Sequence, residues 1–75
     1  MPPYAIPHRT AHDELRHLRT LREERALAMA TPLARQPAYL EDIDAEIEAT
    51  SHAYVGLAVT EIATLRAELG GEQVG

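Results

Sequence analysis

Two pairs of glutamate and histidine side chains have the spacing that helical metal sites use. Glu14 and His17 are three residues apart, and Glu48 and His52 are four residues apart. Residues at these separations share one face of a helix, so each pair can offer a carboxylate oxygen and an imidazole nitrogen to a metal ion. Ferritin-like bundles bind metal ions with Glu-x-x-His motifs. A metal-binding half-bundle of this type is therefore one alternative function, with these four residues as its candidate ligands.

The predicted helices do not bring the four side chains together. Glu14 falls on the apolar side of the first helix, whereas Glu48 and His52 point away from the large apolar side of the second helix. In the hairpin predicted below, His17 lies opposite Ser51 and His52, and Glu61, the acid on the large apolar side, is about two turns from the level of Glu14. We therefore predict no metal site, no catalytic residue and no cofactor, and an enzyme is not the favoured class.

The basic residues do not form a surface for nucleic acid. Five of the seven arginines precede position 26, but the stretch from His8 to Ala30 also carries four acids, so its net charge is only +1. The whole chain carries −5, and it contains no lysine. A phosphate backbone requires a concentrated basic face. Nucleic acid is therefore not an expected partner, and a DNA-associated regulator is kept as an alternative function.

Clear signals mark the ends of two helices. Thr10 is an N-cap with Asp13 in the acidic first turn, and Thr31-Pro32 ends the first helix because proline cannot continue the backbone hydrogen bonds. Pro37 suits the first position of a second helix, and Gly70-Gly71 ends that helix.

The chain has no cysteine, which excludes a disulfide framework and a zinc–thiolate site.

These boundaries predict an all-α fold, an antiparallel two-helix hairpin over residues 10–70. The first helix covers about 10–30 and the second about 37–69, joined by a short connection. Residues 1–9 contain three prolines and are expected to form an extended N-terminal arm. Residues 71–75 are expected to form a flexible tail.

A hairpin with its joint centred near Ala34 aligns the two helices in a definite register. Arg25 then meets Ile43 and its acidic neighbours Asp42, Asp44 and Glu46, while Arg22 meets Glu46 and Arg19 approaches Glu48. Each exposed ion pair adds roughly 0.2–1 kcal/mol. The arginines of the first helix are therefore expected to pair with the acidic start of the second.

The second helix is much longer than the first, so its C-terminal half needs another cover. We expect the N-terminal arm, with Tyr4 and Ile6, to lie along it and to bring His8 and Arg9 close to Glu61. We also expect a second copy of the chain to cover part of it, because a lone hairpin of this size buries too little surface.

Apolar residues surround the second helix near its middle. Its large-residue face contains Leu40, Ile43, Ile47, Tyr54, Ala58, Ile62, Leu65 and Leu69. A line of small residues lies nearly opposite and contains Ala45, Ala49, Ala53, Gly56, Thr60, Ala63 and Ala67. Small residues let two helices approach closely, and alanine is also the best helix former in solvent, so both interpretations of this line stay open. We predict a homodimer that forms a four-helix bundle, with an interface at Tyr54, Val55, Gly56, Leu57, Val59, Ile62 and Leu65.

A third class of function comes from a short local resemblance. The segment Leu21–Ala28 is similar to the end of the long first helix of chorismate mutases. That resemblance implies a small all-helical dimeric enzyme that holds an anionic substrate with arginine and glutamate side chains. It covers eight residues, and the chain lacks the lysine and third helix of that family, so no site residue is carried across.

The sequence favours a small homo-oligomeric helical interaction protein, an adaptor or regulator of a bacterial, plasmid or phage accessory type. Its expected partners are a second copy of itself and another protein. No segment reaches the ~18 apolar residues of a membrane span and the N-terminus lacks the pattern of a signal peptide, so no membrane is expected and the predicted location is the cytoplasm.

Overall fold

The structure, a computed structural model, describes residues 9–70. Within this range the chain is all-helical and has no β-strand. Helix α1 spans Ala11–Ala28 and helix α2 spans Pro37–Gly70, and the two helices pack against each other as a hairpin. The predicted all-α helical hairpin is confirmed. The N-terminal arm and the tail fall almost entirely outside the described residues.

Helix α1 begins with a complete capping box. The Thr10 hydroxyl accepts a hydrogen bond from the Asp13 backbone N–H at 3.1 Å, and the Asp13 carboxylate accepts one from the Thr10 N–H at 3.0 Å. These bonds satisfy two of the donors that a helix start leaves free. The hydrogen bond from the Thr10 N–H lowers the pKa of Asp13 below its usual value. The N-cap expected at Thr10 is therefore confirmed.

The joint is built from tightened turns. Helix α1 ends at Ala28 rather than near residue 30, because the N–H groups of Ala30 and Thr31 bond the carbonyls three residues before them. Thr31 then caps a single 3-10 turn, Pro32–Arg35, by accepting from the backbone N–H of Leu33 at 3.1 Å. Pro32 and Pro37 each lie at the start of a helical segment, where a missing backbone N–H removes no hydrogen bond. Helix α2 begins at Pro37.

The buried face of α1 follows a heptad spacing of three and four residues. Its members are Ala11, Glu14, Leu18, Leu21, Arg25 and Ala28, of which all but Arg25 are buried. This spacing keeps one stripe of side chains toward a neighbouring helix over several turns. Met29, the next residue, is 46% exposed because α1 has already ended there.

Helix α2 packs on α1 through a stripe that we call the inner seam. It consists of Ile43, Ile47, Thr50, Tyr54 and Leu57, which are buried or half-buried and again three or four residues apart. The two helices have 18 and 34 residues, so they are about 27 and 51 Å long at 1.5 Å per residue. The inner seam therefore packs against α1 only along the part of α2 that lies beside α1.

Polar contacts along the hairpin agree in part with the predicted register. Arg25 Nε donates to Asp44 Oδ1 at 2.6 Å, so one of the three acids expected near Arg25 pairs with it. The pairing of Arg22 with Glu46 is wrong: Glu46 contacts His17 Nε2 at 3.2 Å, and neither Arg22 nor Arg19 forms an ion pair with any residue from 9 to 70. The Glu46 side chain projects from α2 to one side of the inner seam. The predicted register pairs residues only by their positions along the two helices, so it does not take this direction into account.

Candidate functional site

Five of the eight exposed large hydrophobic side chains among residues 9–70 lie on the C-terminal half of α2. Val55, Val59, Ile62, Leu65 and Leu69 are each between 51% and 72% exposed. They stand within one range of fifteen residues and on one broad side of the helix. Exposed large apolar side chains gathered in this way mark an interaction surface more often than scattered ones do.

Five residues of this region form a second heptad stripe, which we call the outer seam. It consists of Val55, Ala58, Ile62, Leu65 and Leu69, with successive spacings of three, four, three and four. At 100° per residue this stripe is centred about 80° around α2 from the inner seam. The outer seam therefore does not face α1, and it has the pattern of a coiled-coil contact.

The inner seam becomes polar where the outer seam takes over. Continuing its spacing beyond Leu57 leads to Glu61, Thr64 and Glu68, all of which are exposed. Helix α1 begins at this level, where the Glu61 carboxylate accepts a hydrogen bond from the backbone N–H of Ala11 at 2.8 Å. The apolar stripe of α2 thus moves to another side of the helix at the point where α1 begins.

Two glutamates organise the open end of the hairpin. Glu61 satisfies one of the free N–H groups at the start of α1, and its negative charge lies at the positive end of the helix dipole. Glu14 is buried and forms an ion pair with Arg9. The expectation that Arg9 would approach Glu61 is wrong, because Arg9, which precedes α1, pairs with Glu14 in the first turns of that helix. The other residue expected there, His8, is outside the described range.

The four candidate metal ligands occupy separate places. Glu14 is buried with Arg9, and His17 contacts Glu46 on the other helix. Glu48 and His52 lie 4.0 Å apart on the exposed side of α2. Residues 9–70 contain no group of three or more histidine, cysteine, aspartate or glutamate side chains that could hold a metal ion. His17 does not lie against His52, because the two side chains leave the hairpin on different sides.

The line of small residues has no neighbour in the hairpin. All seven of its members are exposed, and a Cβ atom added at Gly56 would meet nothing within 4 Å. Gly56 therefore does not serve a close approach between α1 and α2. The outer seam offers larger apolar side chains than this line does.

A shallow polar groove lies at the start of α1. It is lined by Arg9, Asp13, Arg16, His17 and Thr20. Four of these side chains are already engaged, in the Arg9 ion pair, the capping box, the His17 contact with α2 and the hydrogen bond that the Thr20 hydroxyl donates to the Arg16 carbonyl. The Arg16 guanidinium alone does not form a concentrated basic face for nucleic acid.

The predicted interface residues fall partly on the inner seam and partly on the outer seam, and Gly56 and Val59 lie on neither. Tyr54 and Leu57 are half-buried toward α1, whereas Val55, Gly56, Val59, Ile62 and Leu65 are exposed. The list omitted Ala58 and Leu69, which complete the outer seam. Their spacing of three and four residues from the others was the signal that could have added them.

No helix in the described part of the chain is long and apolar enough to cross a membrane.

Comparison with known proteins gives no further guide to function: no protein-family model, no curated protein and no solved structure matches this chain.

Proposed function

We propose that this chain is a small homo-oligomeric helical interaction protein, an adaptor or regulator of a bacterial, plasmid or phage accessory type. It acts through protein–protein contacts, and two hairpins associate so that four helices lie side by side. The single observation that carries this proposal is the outer seam, a heptad stripe of apolar side chains of which Val55, Ile62, Leu65 and Leu69 are exposed.

The small size of the hairpin core supports the same conclusion. The buried apolar residues of the described chain are Ala11, Leu18, Leu21, Ala28 and Ile43, and no side chain is fully buried. Chains below about 70–80 residues seldom fold stably on one such core without a disulfide, a metal or association. This chain has no cysteine and no metal-binding cluster among residues 9–70. Association is the remaining source of stability.

The exposed acidic segment supports a role for a second protein as a partner. Residues 41–48 carry five acidic side chains and no basic one. Asp44 and Glu46 contact α1, while the other acidic side chains remain exposed. The metal-binding and DNA-associated alternatives have no comparable support, because the ligands are dispersed and the arginines are interspersed with acids.

Sedimentation equilibrium at micromolar concentration tests the proposal. We expect a mass of about twice the 8.3 kDa of one chain. Ile62→Glu should shift the protein to a single chain, because it places a charge within the outer seam. Leu27→Glu is the matched control, since Leu27 is 73% exposed on α1 and lies outside the seam. A well-folded wild-type monomer, or a dimer insensitive to Ile62→Glu, would contradict the proposal.

A further inference from the structure

The residue types of the outer seam select a geometry for the second copy. Taking Val55 as position a of a heptad places Val55, Ile62 and Leu69 at a, and Ala58 and Leu65 at d. Two-stranded parallel coiled coils favour β-branched residues at a and leucine at d. Two of the three a positions are β-branched, and Leu65 occupies a d position.

The charges beside the outer seam select the same geometry. Glu61 and Glu68 occupy the g positions that flank the stripe, and Arg66 occupies an e position. In a parallel coiled coil in register, each g residue faces the e residue five positions later in the other chain, so Glu61 faces Arg66 of the second copy. In an antiparallel arrangement g faces g, and Glu61 would meet Glu61 or Glu68 instead.

We infer that two copies of this chain associate through the outer seam as a parallel, in-register coiled coil, with Glu61 of each copy paired with Arg66 of the other. This inference rests on the proposed function and specifies the orientation of its partner. The Glu61 carboxylate can serve both contacts, because Oε2 accepts from the Ala11 N–H and Oε1 remains for the guanidinium.

The position of α1 is compatible with this arrangement. Helix α1 packs on the inner seam, about 80° around α2 from the outer seam, so it leaves the outer seam accessible to a second α2. At the level of Val55 four helices lie side by side. After Glu61, α2 extends past the start of α1, so the two α2 helices continue without α1 as a two-stranded stem through Leu69.

Disulfide cross-linking of single-cysteine variants tests the orientation, because the chain has no cysteine of its own. Val55→Cys and Leu69→Cys should each cross-link to themselves under mild oxidation, since parallel a positions face each other. In an antiparallel dimer the two copies of residue 55 lie roughly 15–20 Å apart, beyond the ~7 Å that a disulfide spans between Cα atoms. Gly56→Cys is the matched control, because it lies on the far side of α2 and should stay reduced.

The outcomes separate this inference from the proposed function. A dimer in which Val55→Cys and Leu69→Cys self-cross-link supports both. A dimer in which only a mixture of Val55→Cys and Leu65→Cys cross-links overturns the parallel orientation and leaves the proposed function intact. Cross-linking through Gly56→Cys alone moves the interface to the small-residue line and overturns the inference. A folded monomer overturns both.

A charge reversal gives an independent test. Arg66→Glu should raise the dimer dissociation constant about tenfold, because it replaces two attractive pairs with two repulsive ones. Arg19→Glu changes the net charge equally on exposed α1 and should change the constant by less than about twofold. Circular dichroism of both variants verifies that the helices remain formed. Equal effects of the two substitutions would contradict the pairing of Glu61 with Arg66.

Discussion

The two halves of α2 carry the same kind of pattern and use it differently. The first half has the inner seam, whose apolar side chains are covered by α1, and Ile43 within it is 4% exposed. The second half has the outer seam, in which Leu69 is 72% exposed. Both are heptad stripes, so the pattern alone does not distinguish folding from association. What distinguishes them is the 18-residue length of α1, which covers only one of the two.

Helix α2 thus combines two roles: the inner seam packs within the hairpin, and we propose that the outer seam mediates association. Substitutions in the inner seam should affect the stability of each hairpin, whereas substitutions in the outer seam should affect association. Because α1 begins at the level where the inner seam turns polar, the division falls close to Glu61.

The inner seam should show the largest effect on stability. Ile43→Ala should lower the free energy of unfolding by about 2–4 kcal/mol, because it removes buried methyl groups and leaves a cavity. Urea unfolding followed by circular dichroism at fixed protein concentration measures this change. Leu27→Ala, at an exposed position of α1, should cost less than about 0.5 kcal/mol. Similar losses for both variants would show that the inner seam is not a packed core.

The buried carboxylate at the open end should give the next effect. Arg9→Ala should cost about 1–3 kcal/mol, because it leaves the buried Glu14 carboxylate without its partner. The double variant Arg9→Ala with Glu14→Leu should recover most of that loss, since leucine needs no partner on the buried face. Thermal melts of the two variants and of Glu14→Leu complete the cycle. No recovery would mean that Arg9 stabilises the hairpin by another route.

The capping box should contribute less and should depend on pH. Thr10→Ala should cost about 1 kcal/mol at neutral pH. Folding lowers the pKa of Asp13 from its usual 3.8, so this carboxylate stabilises the folded state above that value, and the contribution is lost as pH falls through the lowered pKa. Asp13→Ala removes this carboxylate, so the difference between wild type and Asp13→Ala in urea unfolding should shrink below pH 3.8. A difference independent of pH would show that Asp13 does not take part.

The smallest effect should come from the small-residue line. Gly56→Ala should raise stability by about 0.5–1 kcal/mol, because alanine is a better helix former and an added Cβ meets nothing within 4 Å. Dimer affinity should be unchanged, because this position lies away from both seams. Weaker association of Gly56→Ala would show that a second helix packs against the small-residue line. The association surface would then not be confined to the outer seam.

Local signals in the sequence predicted the fold well. Thr10 with its acidic first turn, the Thr31-Pro32 pair and Pro37 each act within a few residues, so their effect does not depend on the rest of the molecule. The end of α1 was placed too late because the last turn tightens, which depends on how the joint closes. Arg25 and Asp44 were predicted because they lie near the joint, where an error in register has little room to grow.

The surface was harder to predict from the sequence. A helical wheel gathered Ile43 with Ile62 and Leu65 on one broad face, but it could not show that α1 stops covering this face near Glu61. The contact between His17 and Glu46 was missed for a related reason. Glu46 lies about 140° around α2 from the position expected opposite His17, so it leaves on the other flank of the hairpin.

The hydrogen bond between Ala11 and Glu61 joins residues fifty positions apart, and this has a consequence for the order of folding. Contacts near the joint close short loops, so they form at small entropic cost, while the Ala11 contact closes the longest loop of the hairpin. The helices should therefore associate from the joint outward and separate from the open end first. The Glu61 contact then forms only in the completely closed hairpin, and Glu61 borders the outer seam, on which we propose that a second copy assembles. Assembly would select closed hairpins over partly open ones.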